Sequence, residues 1–215
     1  MFFVGIAGGS GSGKTTFAKK ILARVARHEG APDDTPKAVA LLKQDSYYLP
    51  SPPPHLKLHG EHNFDHPDAF DWELLRDHLK RLRSGESVAV PVYDYKTSRR
   101  TDQTERVGPC KRLLLEGIFT LWDADIRGCF DVKLYLNVEA DVRFIRRLHR
   151  DVRERGRSLD SIIRQYYDTV RPMHHEFLEP TRQYADLVVG EETDIAAEVI
   201  AARLAHWNSP VESSG

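Results

Sequence analysis

Short runs of apolar residues recur along the chain, and each run is followed by polar or glycine residues. They lie within residues 2–7, 38–42, 111–115, 132–138 and 187–189, of which residues 111, 112, 133 and 137 are polar. Short apolar runs, above all a continuous one such as residues 38–42, are typical of strands that are buried on both faces, as in a parallel sheet. The pattern therefore predicts parallel strands at these places.

The segments between these strands carry apolar residues at helical spacing. Phe17, Ile21 and Val25 fall four apart and predict a helix that follows residue 14. The helix predicted after the fourth strand has this buried stripe: Val142, Ile145, Leu148 and Val152. Strands that alternate with helices predict an α/β fold with a doubly wound parallel sheet.

Two further helices are predicted towards the end of the chain. One carries Leu159, Ile162 and Val170 as core positions and should end at Pro172, because proline interrupts helical hydrogen bonding. The other covers residues 195–204, and residues 208–215 are predicted to be a flexible tail. Residues 1–207 are then a single domain, as expected for a chain of this length.

The middle of the chain has a different character. Residues 47–71 show little apolar periodicity and contain several prolines; a helix is predicted over residues 72–82 and an edge strand over 88–93, because this strand contains Pro91. A long segment inserted between strands of the predicted sheet is a natural place for recognition of a substrate. Its histidines could suggest zinc, but prolines argue against a helix over the first pair and no cysteine accompanies them: His55, His59, His62 and His66.

Composition limits the classes of partner. The chain has 215 residues, with 31 basic and 32 acidic side chains, so its overall charge predicts neither a nucleic-acid nor a membrane partner. No apolar run approaches the roughly 20 residues of a membrane helix. Two cysteines do not make a disulfide framework, and a cytoplasmic protein is expected.

A phosphate-binding loop is the most specific motif. Residues 8–15 fit the pattern G-x-x-x-x-G-K-[ST], between the first predicted strand and the first predicted helix. The glycines allow backbone N–H groups to surround phosphate, the lysine reaches the β- and γ-phosphate oxygens and the first threonine can bind Mg²⁺. The predicted nucleotide-binding residues of this loop are Gly8, Gly9, Ser10, Gly11, Ser12, Gly13, Lys14, Thr15 and Thr16.

Two carboxylates follow predicted strands and should lie at the same edge of the sheet as the loop. Asp45 could accept a proton from an attacking hydroxyl or hold Mg²⁺ through water, although a turn or helix cap is an alternative role. Glu116 closes an apolar strand in the manner of a Walker B acid and could help to bind the metal.

Arginines are concentrated after the fourth strand, within residues 146–157. Guanidinium groups near a transferring phosphoryl group stabilise its negative charge, whereas the alternative is a solvated helix face with surface ion pairs. The density of the cluster favours the functional interpretation.

Several strings in order resemble the uridine/cytidine kinases, a family of P-loop nucleoside kinases, over residues 2–190. They are Gln44-Asp45-Ser46-Tyr47-Tyr48, residues 63–70 (NFDHPDAF), residues 91–95 (PVYDY), Arg150-Asp151 with residues 154–157 (ERGR), and Pro180-Thr181 with Tyr184-Ala185-Asp186. The resemblance implies a P-loop kinase fold with a nucleoside-binding insertion at residues 46–107 and an arginine-rich lid at residues 146–160. It also implies a homo-oligomer.

The implied reaction is transfer of a phosphoryl group from ATP, with Mg²⁺, to the 5′-hydroxyl of uridine or cytidine. The resemblance makes Asp45 the base and assigns catalytic roles to Lys14, Arg150 and Arg155, metal binding to Thr15, Asp45 and Glu116, and triphosphate binding to Arg155 and Arg157. It assigns the ribose hydroxyls to Asp65 and Arg147. The remaining implied nucleoside contacts are Tyr48, Phe64, Tyr93, Tyr95, Ser98 and Gln165.

One position departs from the family. Ser98 stands five residues beyond Tyr93, where the family commonly has a histidine that contacts the pyrimidine. Because a serine hydroxyl is shorter and can either donate or accept, base preference stays open, and so does phosphorylation of another nucleoside or of a sugar phosphate. A nucleotide-dependent switch without catalysis is a third alternative; the absence of an Asn-Lys-x-Asp string and the presence of Lys14, Asp45 and Glu116 argue against it.

Overall fold

The computed structural model describes residues 1–30, 39–58 and 61–207. The strands are β1 (Phe2–Gly8), β2 (Val39–Lys43), β3 (Lys57–Leu58), β4 (Glu61–His62), β5 (Val88–Asp94), β6 (Arg99–Val107), β7 (Arg112–Glu116), β8 (Val132–Leu136) and β9 (Leu187–Val189). The α-helices are α1 (Lys14–His28), α2 (Trp72–Arg83), α3 (Ala124–Gly128), α4 (Ala140–Arg155), α5 (Leu159–Gln165), α6 (Arg171–Met173) and α7 (Asp194–Ala205).

A parallel sheet forms the centre of the described chain, with strand order β2–β7–β1–β8–β9. The predicted strands are confirmed with small shifts: β8 ends at Leu136, and Ala38, predicted to begin β2, lies outside the described residues. Glu116 at the end of β7 is in register with Ile6 of β1 and Lys43 of β2. The carboxyl ends of these strands therefore meet at one edge.

Hydrophobic clusters cover both faces of this sheet. On one face Val4 and Ile6 of β1 pack in a cluster with Phe17 and Ile21 of α1 and Ile200 of α7. On the other face a second cluster joins the sheet to α2 and to the segment that precedes it. This arrangement confirms the doubly wound fold and the apolar stripe predicted for α1.

The stripe predicted for α4 is wrong. Ile145 and Val152 are 52% and 44% exposed, and Val142 and Leu148 are only half-buried. The described residues that α4 buries are Arg143, Arg147 and Asp151. This helix packs against a polar cleft rather than against the hydrophobic core, so its inward face is charged. Leu159, predicted as a core position of α5, is also 50% exposed.

The predicted helix end at Pro172 is wrong as well. After α5 the chain continues through a π-helical turn (Tyr166–Val170), α6, a second π-helical turn (His174–Leu178) and a 3₁₀ turn (Glu179–Tyr184). Pro172 lies in the first turn of α6, immediately after the wider π turn. At such a position the absent N–H and the bulk of the ring are tolerated.

The segment 46–107 contains the short β3–β4 pair, α2 and an antiparallel β5–β6 hairpin. The helix predicted at residues 72–82 is confirmed, and Asp71 caps it by accepting from the Leu74 N–H. The edge strand predicted at residues 88–93 is confirmed as β5, which pairs with β6 alone in a two-stranded hairpin separate from the main sheet. Among the described residues, no helix has both the length and the apolar character needed to cross a membrane.

Candidate active site

A cleft of about 480 Å³ opens at the carboxyl edge of the sheet. It is lined by residues from the phosphate loop, from the ends of β2 and β7, from the segment 46–107 and from α4 and α5. The sequence-predicted residues that line it are Ser10, Gly11, Lys14, Thr15, Asp45, Tyr48, Phe64, Asp65, Tyr93, Tyr95, Ser98, Glu116, Arg147, Arg150, Arg155, Arg157 and Gln165.

Other residues of the predicted loop do not line this cleft. Gly9 contributes its carbonyl, which accepts a hydrogen bond from Lys14 Nζ at 3.0 Å. Gly13 caps α1 in the left-handed conformation, with φ +91°. Thr16 is exposed on the first turn of α1, whereas Gly8 and Ser12 are buried. The cleft therefore includes the middle of the loop and its lysine, but not the Thr16 side chain.

The loop is packed tightly against α4. A Cβ at Gly11 would overlap the backbone carbonyl of Arg143, and Gly11 also has a φ of +82°. The buried Arg143 donates through Nε to the Val138 carbonyl at 2.9 Å and through Nη2 to His174 Nε2 at 3.2 Å. Burial, followed by the positive charge of Arg143, lowers the pKa of His174 to about 3. The buried Arg143 therefore packs against Gly9 and Gly11 of the loop, and the neutral His174 accepts one of its hydrogen bonds.

Thr15 and Glu116 form the polar centre of the cleft. Thr15 Oγ1 donates to Glu116 Oε1 at 2.6 Å. Burial raises the pKa of Glu116, although the nearby Lys14 acts in the opposite direction. Burial is also the main cause of the lowered pKa of Lys14. A hydroxyl beside a poorly solvated carboxylate is a donor set that suits Mg²⁺, which prefers oxygen ligands and uses few of them from protein.

Asp45 lies in a 3₁₀ turn (Gln44–Tyr47) that directly follows β2. Gln44, which is fully buried, fixes this turn because its Oε1 accepts from the Phe119 N–H at 2.8 Å. A Cβ at Gly117 would collide with the Gln44 side chain, so glycine is required there. These contacts of Gln44 with Gly117 and Phe119 connect the ends of β2 and β7 and hold Asp45 at the same edge of the sheet as Glu116.

Aromatic side chains form one wall. The ring centroid of Tyr48 lies 5.3 Å from that of Phe64 and 5.1 Å from that of Tyr93, and Tyr93 lies 5.3 Å from Tyr95. Tyr48 also stacks on Phe70 at 4.3 Å, which anchors it in the core. Such a wall offers flat faces and edges to a planar ligand.

Asp65 and Gln165 face the cleft from different elements. Thr169 Oγ1 donates to Asp65 Oδ2 at 3.0 Å, and Arg147 Nη2 donates to Gln165 Oε1 at 2.8 Å. Arg147 Nη1 also donates to Ser10 Oγ at 2.8 Å. The role of Thr169 was not predicted, because it lies 104 residues from its partner and belongs to no recognised motif.

The predicted lid arginines surround Asp151, a carboxylate with 0% exposure. Asp151 oxygens lie 2.8 Å from Arg150 Nε, 3.4 Å from Arg155 Nη1, 3.5 Å from Arg147 Nε and 3.8 Å from Arg157 Nη1. Burial acts to raise the pKa of Asp151, but the charges of Arg150 and Arg147 outweigh it and lower the pKa. From the sequence alone, Asp151 was interpreted as a surface ion-pair partner. Residues 143, 147 and 151 are spaced four apart and therefore share one face of the helix, which was the available sign of a buried polar face.

Ser98 lies in the turn of the β5–β6 hairpin and has a φ of +54°. It lines the cleft together with His62, which the sequence raised as a zinc ligand. Within the described ranges, no group of three or more histidine, cysteine, aspartate or glutamate side chains is arranged to hold a metal ion. His59, another of the candidate ligands, lies outside the described residues.

The sequence model of the phosphoribulokinase/uridine kinase family matches residues 3–196. A protein of Lactobacillus helveticus (strain DPC 4571) named uridine kinase is 43% identical over 203 residues, which cover 94% of this chain and 92% of that protein. A protein of Clostridium tetani (strain Massachusetts / E88) with the same name is 41% identical and covers 94% and 93% of the two chains.

The fold is also similar to a solved structure of phosphoribulokinase from Rhodobacter spheroides. The TM-score is 0.62 at 14% sequence identity, with 88% of this chain and 69% of that chain covered. At this identity the likeness concerns the arrangement of strands and helices alone.

Proposed function

The chain belongs to the phosphoribulokinase/uridine kinase family, and we propose that it transfers the γ-phosphoryl group of ATP to the 5′-hydroxyl of uridine or cytidine. Relatives that are 41% and 43% identical over 94% of this chain carry the name uridine kinase, which supports the nucleoside as acceptor. A P-loop kinase of this family is a phosphotransferase that uses ATP.

The observation that carries the proposal is the shared cleft. A phosphate loop, a carboxylate at the end of β2 and an aromatic wall all face one cavity of about 480 Å³. A phosphoryl transferase needs a phosphate site and a base close enough for in-line attack, and a nucleoside kinase also needs a flat surface for the base ring.

In the proposed mechanism, Asp45 accepts the proton of the 5′-hydroxyl while the hydroxyl oxygen forms a bond to the γ-phosphorus. The bond between this phosphorus and the oxygen that bridges it to the β-phosphorus breaks, and ADP leaves with the electron pair. Lys14 and the guanidinium groups of Arg150 and Arg155 stabilise the negative charge that spreads over the transferring group. Positioning and charge neutralisation provide most of the rate enhancement.

Thr15 and Glu116 would hold Mg²⁺, with Asp45 as a further ligand through water. The ion would supply charge neutralisation at the phosphate oxygens. The residues present fit this role, because the Glu116 carboxylate is buried and its pKa is raised, so a bound cation would relieve its unfavourable charge.

Asp65 and Arg147 would bind the ribose hydroxyls. A carboxylate can accept from both hydroxyls of a vicinal diol, and the Thr169 hydroxyl fixes its orientation from behind. A deoxyribose lacks one of these hydroxyls, so a ribonucleoside is favoured as the substrate.

The test is ADP release with Mg-ATP and a panel of uridine, cytidine, adenosine, deoxycytidine and ribulose 5-phosphate. We expect the parent protein to turn over uridine or cytidine. Asp45→Asn should lose at least about a hundredfold in kcat and keep its binding of ATP. Asp102→Asn, which replaces an exposed aspartate on β6, should leave kcat unchanged. Turnover confined to another acceptor would refute the proposal that uridine or cytidine is the substrate. Unchanged turnover of Asp45→Asn would refute the role of Asp45 as the base.

A further inference from the structure

The hydroxyl of Tyr95 contacts the proposed base. Tyr95 directly follows β5 at the tip of the hairpin, and its O–H donates to Asp45 Oδ2 at 3.1 Å. The two residues lie 50 positions apart in the sequence. The contact therefore joins the turn after β2 to the β5–β6 hairpin across the mouth of the cleft.

The ring of Tyr95 is held by separate contacts. The Arg155 guanidinium carbon lies 4.8 Å from its centroid, and the Tyr93 ring meets it edge-on at 5.3 Å. A phenolic hydroxyl, whose ordinary pKa is about 10, keeps its proton at neutral pH. It can therefore act as a permanent donor towards a carboxylate.

A carboxylate on a 3₁₀ turn can rotate about its terminal torsion unless a neighbour fixes it. A donor on Oδ2 fixes the plane of the group and leaves the second oxygen to accept the substrate proton. Because proton transfer requires hydrogen-bond distance and alignment, this constraint bears directly on the rate.

We propose that Tyr95 is a positioning residue: its hydroxyl orients the Asp45 carboxylate for removal of the acceptor's proton, while its ring links this pair to Arg155. The inference rests on the proposed function, in which Asp45 is the base. The hydroxyl and the ring have separable roles, since Tyr95→Phe keeps the ring and removes the donor.

The first test is steady-state kinetics of Tyr95→Phe with uridine and Mg-ATP. A hydrogen bond to a charged group is worth about tenfold to a hundredfold in an equilibrium or rate. We expect kcat to fall by about this factor, with KM for both substrates changed less than about twofold. Tyr167→Phe is the matched control, because this tyrosine is 61% exposed and lies outside the cleft. Unchanged kcat in Tyr95→Phe, or a loss confined to KM, would overturn the proposal.

The second test is a double-mutant cycle with Asp45→Asn, measured as single turnover at high enzyme concentration. If Tyr95 acts through Asp45, Tyr95→Phe should change the rate less than about twofold in the Asp45→Asn background. A full repeat of its effect there would show that the hydroxyl acts elsewhere and would overturn the proposal. If Asp45→Asn alone keeps the parental rate, it is the proposed function that fails, so the two failures are distinguishable.

Discussion

Removal of the negative charge of Asp151 should destabilise the folded protein. The Asp151→Asn substitution keeps the size of the side chain but leaves the surrounding guanidinium groups without a counter-charge. Their atoms lie between 2.8 and 3.8 Å from a carboxylate that is fully buried. The substitution therefore isolates the electrostatic contribution of this cluster.

The magnitude follows from burial. Removal of one partner from a buried ion pair costs about 3–5 kcal/mol. Here the side chains of Arg150, Arg155 and Arg157 are 31%, 23% and 25% exposed, so water can partly solvate them once the carboxylate is lost. Arg147, at 7%, cannot gain much solvation. We therefore expect a decrease in the free energy of unfolding that is somewhat smaller than the cost of a fully buried pair, about 2–4 kcal/mol.

The effect should depend on pH in a defined direction. The pKa of Asp151 is lower in the folded protein than in the unfolded chain, because neighbouring arginine charges outweigh the effect of burial. Its contribution is thus fully present above the unfolded value of about 4 and is lost as the pH falls through the lower folded value. The difference between the parent and Asp151→Asn should be constant from about pH 5 to 8 and shrink below about pH 4.

The assay is urea unfolding followed by circular dichroism. Glu154→Gln is the control, because Glu154 is exposed on the same helix and should change stability by less than about 0.5 kcal/mol. The KM for ATP should also rise in Asp151→Asn, since the arginines of the predicted lid lose their common anchor. A free energy of unfolding within about 0.5 kcal/mol of the parent would refute the account of this cluster.

Three other predictions concern separate parts of the cleft. Gly11→Ala should weaken ATP binding by more than about tenfold in an ATP titration, because its Cβ overlaps the Arg143 carbonyl and its positive φ is strained; parental affinity would contradict this. Glu116→Gln should raise the unfolding temperature without Mg²⁺, since a charge disfavoured by burial is removed, and should abolish stabilisation by added Mg²⁺ in thermal scans; retained stabilisation by Mg²⁺ would place the ion elsewhere. Thr169→Val should raise KM for uridine about threefold to tenfold in kinetic assays, because Asp65 loses a donor; a change in KM for ATP alone would contradict its assignment to the nucleoside.

The sequence was sufficient to predict the central sheet and the phosphate loop. Buried parallel strands show as continuous apolar runs, and the loop after β1 combines glycines with a lysine and a threonine in fixed order. Asp45 and Glu116 could be placed on one rim because each follows a strand of the same parallel sheet.

Elements that serve the cleft rather than the core were harder to predict. Apolar periodicity assigns Ile145 and Val152 to the inside of α4, whereas the helix turns them outwards. The exposed and mainly polar strand β6 has no apolar run by which it could be recognised. Contacts such as Tyr95 with Asp45 join positions whose proximity depends on the tertiary fold, and no local spacing encodes them.

The buried charges of α4 link stability to function in this protein. Arg143 supports the phosphate loop, Arg147 contacts Ser10 of that loop and Gln165 of α5, and Asp151 neutralises the arginines around it. Replacement of these side chains by apolar residues of similar volume is often neutral or favourable for stability elsewhere. On α4 such a replacement would instead remove contacts to the phosphate loop and to α5. The inward face of this helix therefore has to stay charged to serve the cleft, and for this reason its apolar side chains lie on the exposed face.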